Sequence, residues 1–258
     1  MSTVALSSSK PTSLRVDAVV VGIVKDDDAK GGAGIALAPG AEEVDKAFKG
    51  RLAATLVALG ATGKANEVTK VASLGAVSAP VVAAVGLGDR PQSGGRRASS
   101  SSASYAHEVL RRATGAAARA LAGTASVGLA LPAEDATQVA AVAEGALLGA
   151  YSYGRYRVAS AERHKPPVEK FTLLTGSPRD KAVKAAVTRA ATVVDAVHLV
   201  RDWVNAAPAD LPPAEFAALA AAAAKDAGVA VEVLDEKALK KAGYGGILGV
   251  GQGSSRPP

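Results

Sequence analysis

The chain has 258 residues, a formal net charge of +6 at pH 7, 48% hydrophobic residues and only 3% aromatic residues. It contains no cysteine, which excludes disulfides, thiolate zinc sites and cysteine nucleophiles. The few aromatic side chains argue against a surface that stacks single-stranded bases, and the basic charge permits only weak attraction to nucleic acid, with a basic protein surface as the simpler interpretation.

Residues 1–13 are polar and lack the apolar core of a signal peptide, so they predict a disordered lead-in. The longest apolar run, residues 214–224, contains Glu215 and is too short to cross a bilayer. The Ser-rich stretch 91–104 has low complexity and predicts a flexible segment. We therefore expect a soluble, cytoplasmic protein without membrane partners.

Strands and helices alternate through the first two thirds of the sequence. A β-branched run with polar flanks predicts a strand over residues 14–25, and further strands are expected over residues 68–73, 81–88, 125–131 and 169–175. Helical spacing of apolar residues predicts helices over residues 41–58, 106–121 and 134–150. Such alternation is typical of an α/β fold with a parallel or mixed sheet and flanking helices, and the first domain is expected over residues 14–177.

The last third predicts a connection and a second unit. Residues 178–204 have no internal Gly or Pro and predict a long connecting helix. Residues 205–258 predict the beginning of a second α/β domain, with elements in the order helix 213–227, strand 229–234, helix 235–242 and strand 247–250. Such a piece cannot cover both faces of its own sheet, so we expect this domain to be incomplete.

One group of side chains has the spacing of a metal site. Asp195, His198 and Asp202 stand at i, i+3 and i+7 and share one helix face, with oxygen and nitrogen donors suited to Zn²⁺ or Mn²⁺. The simpler interpretation is a solvated stripe in which Arg201 pairs with the acids. No H-E-x-x-H motif and no G-x-S-x-G nucleophile elbow occurs.

Three glycine clusters could approach a phosphate closely: Gly31–Gly34, Gly86–Gly88 and the G-V-G-Q-G-S segment at 249–254. None carries the full dinucleotide fingerprint or the lysine of a P-loop. Turns and close backbone packing are the alternative explanation.

Four motifs identify a resemblance to the M17-type leucyl aminopeptidases. They are VGLGDR at 85–90, EGALLGAYSYGRYR at 144–157, LVRDWVNAAPADLPPAEFA at 199–217 and DEKALKKAGYGGILGVGQGSSRPP at 235–258. The last is the most specific, and the order of the four matches the family. The resemblance covers the chain after about residue 80, and earlier residues match only in general character.

The resemblance implies a macro-like N-terminal domain and a hexameric cytosolic enzyme that removes N-terminal residues, leucine by preference, from peptides. Two divalent cations, Mn²⁺ or Zn²⁺, would activate a bridging water and polarise the peptide carbonyl. The family's ligand motifs, G-K-G-x-T-F-D and N-T-D-A-E-G-R, do not occur in this sequence. We therefore expect no catalytic or metal-binding residue up to Pro258, and an inactive chain when it is alone.

The same resemblance suggests that the first domain is mainly a scaffold for assembly. Two alternatives remain open. An ADP-ribose-like ligand could bind at the Gly31–Gly34 and Gly86–Gly88 loops, or the domain could make weak regulatory contacts with DNA, with an affinity that falls steeply with salt.

Overall fold

The computed structural model describes residues 2–26, 34–91 and 105–256. They fall into two compact units that divide between His198 and Leu199. Among these residues, no helix combines the length and the apolar character that crossing a bilayer requires.

The first unit contains one sheet and the helices that cover it. Its strands are β1 Thr3–Ser7, β2 Ala18–Lys25, β3 Ile35–Leu37, β4 Val68–Ala72, β5 Val81–Asp89, β6 Ser126–Ala130 and β7 Lys170–Leu174. Its helices are α1 Glu42–Ala47, α2 Leu52–Ala58, α3 His107–Ala120 and α4 Ala136–Gly149. The long helix α5, Lys181–Asn205, begins in this unit and continues past the division.

The sheet is mixed, with the strand order β1-β7-β6-β2-β5-β4 and with β3 beside the end of β2. The pairs β1–β7, β7–β6, β6–β2 and β2–β5 are parallel, whereas β4–β5 and β3–β2 are antiparallel. Strands that run parallel need a crossover connection; α3 lies in the connection from β5 to β6, on the two sides of β2, and α4 lies in the connection between the neighbours β6 and β7. The predicted α/β fold with a mixed sheet is thus confirmed.

Both faces of the central strand β2 are buried, which explains its continuous apolar sequence. Val19, Val21 and Ile23 join a core with residues of α1 and α2, including Leu52 and Leu56. The alternate residues of β2 face the opposite side and join the larger core formed with α3 and α4. The period-two alternation therefore divides one strand between two cores.

The prediction of a disordered lead-in over residues 1–13 is wrong. Residues 3–7 form β1, which pairs in parallel with β7, so that Val4 lies opposite Phe171. The N–H and C=O groups along the edge of β7 need partners, and β1 supplies them. Val4 and Leu6 alternate with more polar residues and pack against the larger core. This alternation of apolar residues predicts a strand, but the polar composition of residues 1–13 as a whole obscured it.

The single helix predicted over residues 41–58 is also wrong, because the structure has two helices, α1 and α2, in its place. The chain turns between them through left-handed backbone conformations at Lys49 (φ 58°) and Gly50 (φ 73°). The Asp45 carboxylate accepts a hydrogen bond from the Leu52 N–H at 3.0 Å, which fixes the start of α2.

The second unit is helical. After the end of α5 it contains α6 Pro213–Asp226, α7 Glu236–Lys241 and α8 Gly245–Gly251. The strand predicted over residues 229–234 has no regular structure, and residues 247–250 are helical, so both strand predictions are wrong. A strand needs a neighbour to pair its backbone, and residues 199–256 contain no other strand, whereas a helix pairs its backbone internally.

Candidate functional site

The three side chains with metal-ligand spacing lie on α5. Asp195 and Asp202 are exposed, whereas His198 is partly buried and its ring centroid lies 5.1 Å from that of Tyr151. Across residues 2–26, 34–91 and 105–256, no three His, Asp or Glu side chains are grouped as a metal ion would require. The structure therefore does not support the metal hypothesis for this trio.

The Gly86–Gly88 segment is a packing feature. The N–H of Gly86 donates to the Glu67 carbonyl at 2.8 Å, and the N–H of Gly88 donates to the Gly63 carbonyl at 3.1 Å. A Cβ atom at Gly86 would lie 1.9 Å from the Lys64 carbonyl oxygen. The amides that a phosphate would need are thus already bonded within the protein, and the glycine is required by close backbone approach.

Of the other two glycine clusters, one lies mostly outside the described residues and the other is partly helical. Residues 31–33 lie outside the described part of the chain, and only Gly34 of that cluster is described; its carbonyl accepts a hydrogen bond from the Asp26 N–H at 3.1 Å. In the segment 249–254, residues 249–251 belong to α8. Their helical backbone replaces the open loop that a phosphate would need.

Ion pairs cover the carboxyl ends of β2 and β5. Lys25 Nζ lies 3.1 Å from Asp89 Oδ1. Arg90 Nη1 lies 2.9 Å from the Asp26 carboxylate, whose side chain is only 13% exposed. Burial raises the pKa of Tyr105 just before α3, whereas the charge of Arg90 acts in the opposite direction. The charges of Lys25, Asp26, Asp89 and Arg90 therefore form two ion pairs at these strand ends.

A cavity of about 290 Å³ lies at the carboxyl ends of β1, β6 and β7. Ligands of open α/β sheets bind at such edges. Its lining includes two carboxylates: Glu42, which accepts a hydrogen bond from the Gly40 N–H at 2.8 Å, and Glu43, which pairs with Lys46 at 3.0 Å. The hydrogen bond from Lys46 lowers the pKa of Glu43, so it stays ionised. Lys10 Nζ also lies 3.8 Å from the Glu43 carboxylate, so two lysines offset the charge of Glu43 and the cavity is not strongly acidic.

Sequence reasoning missed a contact between the starts of α3 and α4. Thr137 Oγ1 donates to Asp135 Oδ1 at 2.5 Å and lies 3.1 Å from His107 Nε2. A nucleophilic hydroxyl would have to give its proton to the histidine, whereas this hydroxyl gives it to a carboxylate. Asp135 also accepts hydrogen bonds from the N–H groups of Thr137 and Gln138, so the group caps α4. The D-x-T spacing was the available signal.

Comparison with protein families gives two matches in chain order. The model described as the cytosol aminopeptidase family, N-terminal domain, matches residues 20–160. The model described as the catalytic domain of the same family matches residues 198–258.

Individual relatives agree with these matches. A protein named probable cytosol aminopeptidase from Streptomyces avermitilis is 50% identical over 260 residues, covering 100% of this chain and 50% of that protein. Its counterpart of the same name from Streptomyces coelicolor is 48% identical over 271 residues, with the same two coverages of 100% and 50%. The chain thus spans about half the length of the curated relatives it matches.

Two solved structures share the fold. A tomato leucine aminopeptidase mutant aligns with a TM-score of 0.74 and 20% identity over 100% of this chain and 49% of that chain. The bottromycin maturation enzyme BotP in complex with Mn aligns with a TM-score of 0.64 and 24% identity over 94% of this chain and 43% of that chain.

Proposed function

The chain belongs to the cytosol aminopeptidase family, and from this premise we propose that it is half of an enzyme that removes N-terminal residues, leucine by preference, from peptides. The observation that carries the proposal is the order of the two matches, the N-terminal domain over residues 20–160 and the catalytic domain over residues 198–258. Two relatives about twice as long are each named probable cytosol aminopeptidase.

We further propose that the enzyme uses two divalent cations, Mn²⁺ or Zn²⁺. This is supported by BotP, which shares the fold and whose structure is described as a complex with Mn. In the described part of the chain, no three His, Asp or Glu side chains are grouped in a way that suits a metal ion. We therefore assign no catalytic step to this chain and propose that the metal ligands lie at family positions beyond Pro258.

For this half we propose a scaffold role within a cytoplasmic homohexamer. Residues 14–177 would form the macro-like N-terminal domain, residues 178–204 the connecting helix, and residues 205–258 the start of the catalytic domain. The scaffold role is supported by the polar groups at the sheet edge, because they bind one another. Lys25 pairs with Asp89, Asp26 pairs with Arg90, and the Gly86 N–H donates to the Glu67 carbonyl.

The two alternatives lack support of this kind. An ADP-ribose-like ligand would meet amides at Gly86 and Gly88 that are already hydrogen-bonded within the protein. Regulatory DNA binding would need a continuous basic surface, whereas Arg111 and Arg112 are paired with carboxylates.

The test compares the 258-residue chain with the intact protein that contains it, each identified by intact mass. Both are assayed for release of leucine from a leucyl dipeptide with Mn²⁺ or Zn²⁺ and after chelation. We expect metal-dependent release by the intact protein and none by the chain alone. The N-acetylated dipeptide, which lacks the free amine, is the matched control and should stay uncut.

Two results would contradict the proposal. Release of leucine by the 258-residue chain alone would show that catalytic residues lie within it. If the intact, folded and metal-loaded protein leaves leucyl peptides uncut, the proposed activity is wrong.

A further inference from the structure

Three arginines of α3 line a groove on the surface of the first unit. Arg111, Arg112 and Arg119 surround a cavity of about 360 Å³, together with Glu108 of the same helix and Asn66 from the loop before β4. This volume is within the range of small-ligand pockets. We call this surface the α3 arginine groove.

The groove exists because α3 and α4 approach each other backbone to backbone. A Cβ atom at Gly145 would lie 2.3 Å from the Arg111 carbonyl oxygen, and one at Gly149 would lie 2.5 Å from the Gly115 carbonyl oxygen. No side chain can fill the seam between the helices at these points. Gly115, Gly145 and Gly149 therefore form part of the lining, and the arginines border a concave surface.

One arginine of the groove has a fixed position. Arg111 Nε donates to Glu144 on α4 at 2.7 Å, and its Nη1 donates to Glu108 at 2.5 Å. Its side chain is only 32% exposed, so it is held between two carboxylates on two helices. This preorganisation lowers the entropy cost of using its remaining N–H donors.

Charge in the groove is not balanced. Arg112 Nε donates to Glu108 at 2.7 Å, so Glu108 and Glu144 together serve Arg111 and Arg112. Within the described part of the chain, Arg119 forms no ion pair. One positive charge and several guanidinium N–H donors are thus available to an anion.

We propose that the α3 arginine groove binds the phosphate group of a small metabolite. Planar guanidinium groups match phosphate oxygens with paired hydrogen bonds, and the amide side chain of Asn66 borders the same cavity. A small ligand fits better than a nucleic acid because the carboxylates of Glu108 and Glu144 would repel a continuous row of phosphates. Arg119 supplies the available charge, while Arg111 and Arg112, paired with Glu108 and Glu144, border the groove.

The test is an NMR titration of the ¹⁵N-labelled 258-residue chain with inorganic phosphate and with glycerol phosphate. We expect saturable shifts of the Arg119 Nε–H and of the Gly115 and Gly145 amides. Arg119→Gln should weaken binding by about tenfold or more, because a hydrogen bond to a charged group is lost. Arg189→Gln removes the same charge from an exposed site on α5 and should change binding by less than about twofold.

Three outcomes would overturn the proposal. One is the absence of saturable shifts at millimolar phosphate. Another is equal weakening by Arg119→Gln and Arg189→Gln, which would show attraction to the overall charge alone. The third is tighter binding of a DNA duplex than of phosphate, lost in Arg119→Gln, which would make the groove a nucleic-acid contact. Peptidase activity is not measured, so failure here leaves the proposed function unaffected.

Discussion

Asp17 and Ser126 bind each other reciprocally at the amino-terminal ends of β2 and β6. The Asp17 N–H donates to the Ser126 carbonyl at 3.0 Å, while the Ser126 N–H and hydroxyl donate to the Asp17 carboxylate at 2.7 and 2.9 Å. The next residues along the two strands, Ala18 and Val127, face each other in the parallel register. The pair therefore fixes the register of two central strands that are distant in sequence.

The Asp17 carboxylate makes the stability of the fold depend on pH. The Ser126 N–H, and then its hydroxyl, lower the pKa of Asp17 from 3.8. A carboxyl with a lower pKa in the folded state adds stability above its unfolded pKa, and this stability is lost as the pH falls through the folded pKa. Asp17→Ala should thus lower the free energy of unfolding by about 1–2 kcal/mol at neutral pH.

Urea unfolding of wild type and Asp17→Ala, from neutral pH down to below the unfolded pKa of the carboxyl, measures the free energy that this interaction contributes. The difference between the two proteins should shrink as the pH falls below about 4. Asp195→Ala, on the exposed face of α5, is the matched control and should change stability by less than about 0.5 kcal/mol. A difference for Asp17→Ala that is constant with pH would contradict the expectation.

The close packing of α3 on α4 gives a second test. Gly145→Ala would place a Cβ atom 2.3 Å from the Arg111 carbonyl oxygen, so the helices must separate. We expect a loss of about 1–3 kcal/mol in the free energy of unfolding, although alanine favours a helix by up to about 1 kcal/mol over glycine. Gly154→Ala has open space around the new Cβ and is the control. Equal stability of the two variants would show that the helix backbones do not touch.

The sequence predicted the centre of the sheet better than its edge. The strands β2 and β5 are long apolar runs because both of their faces are buried, so their sequence pattern is strong. The short edge strand β1 exists because β7 has an open edge, and this is a tertiary cause that local composition does not show. In residues 229–234 the local pattern favours a strand, yet residues 199–256 offer no partner strand.

The candidate site was harder to predict than the fold. In the sequence, a glycine that lets a phosphate approach the backbone looks the same as a glycine that lets another backbone segment approach. At Gly86 the approaching group is the Lys64 carbonyl, 22 residues earlier in the chain, and only the folded structure shows it. In the same way, the pairing of Arg111 with Glu144 joins two helices across 33 residues and could not be read from charge spacing.

The cap of α4 gives a third test. Asp135 Oδ1 accepts hydrogen bonds from the N–H groups of Thr137 and Gln138, both at 2.8 Å. Asp135→Ala should lower the free energy of unfolding by about 1 kcal/mol. Asp135→Asn should keep most of the wild-type stability, because asparagine caps helices about as well as aspartate. Thermal unfolding at neutral pH compares the two variants. Equal losses would mean that the charge, and not the cap, supplies the stability.

Proline substitutions distinguish a paired strand from an unpaired segment. Val231 lies in the stretch that was predicted as a strand, but it is 49% exposed and the structure places it outside any strand. Ala83 of β5 is fully buried and lies between Val20 of β2 and Lys70 of β4. Val231→Pro should change the free energy of unfolding by less than about 0.5 kcal/mol, whereas Ala83→Pro should cost about 3 kcal/mol or more.

Amide hydrogen exchange provides an independent measurement for the same comparison. In the wild-type chain, the amides of residues 229–234 should exchange rapidly, whereas those of β5 should be protected up to the global free energy of unfolding. Circular dichroism of Val231→Pro should match that of the wild type, because no strand is removed. Slow exchange at Val231, together with a large loss of stability in Val231→Pro, would instead mean that this segment pairs as a strand in solution.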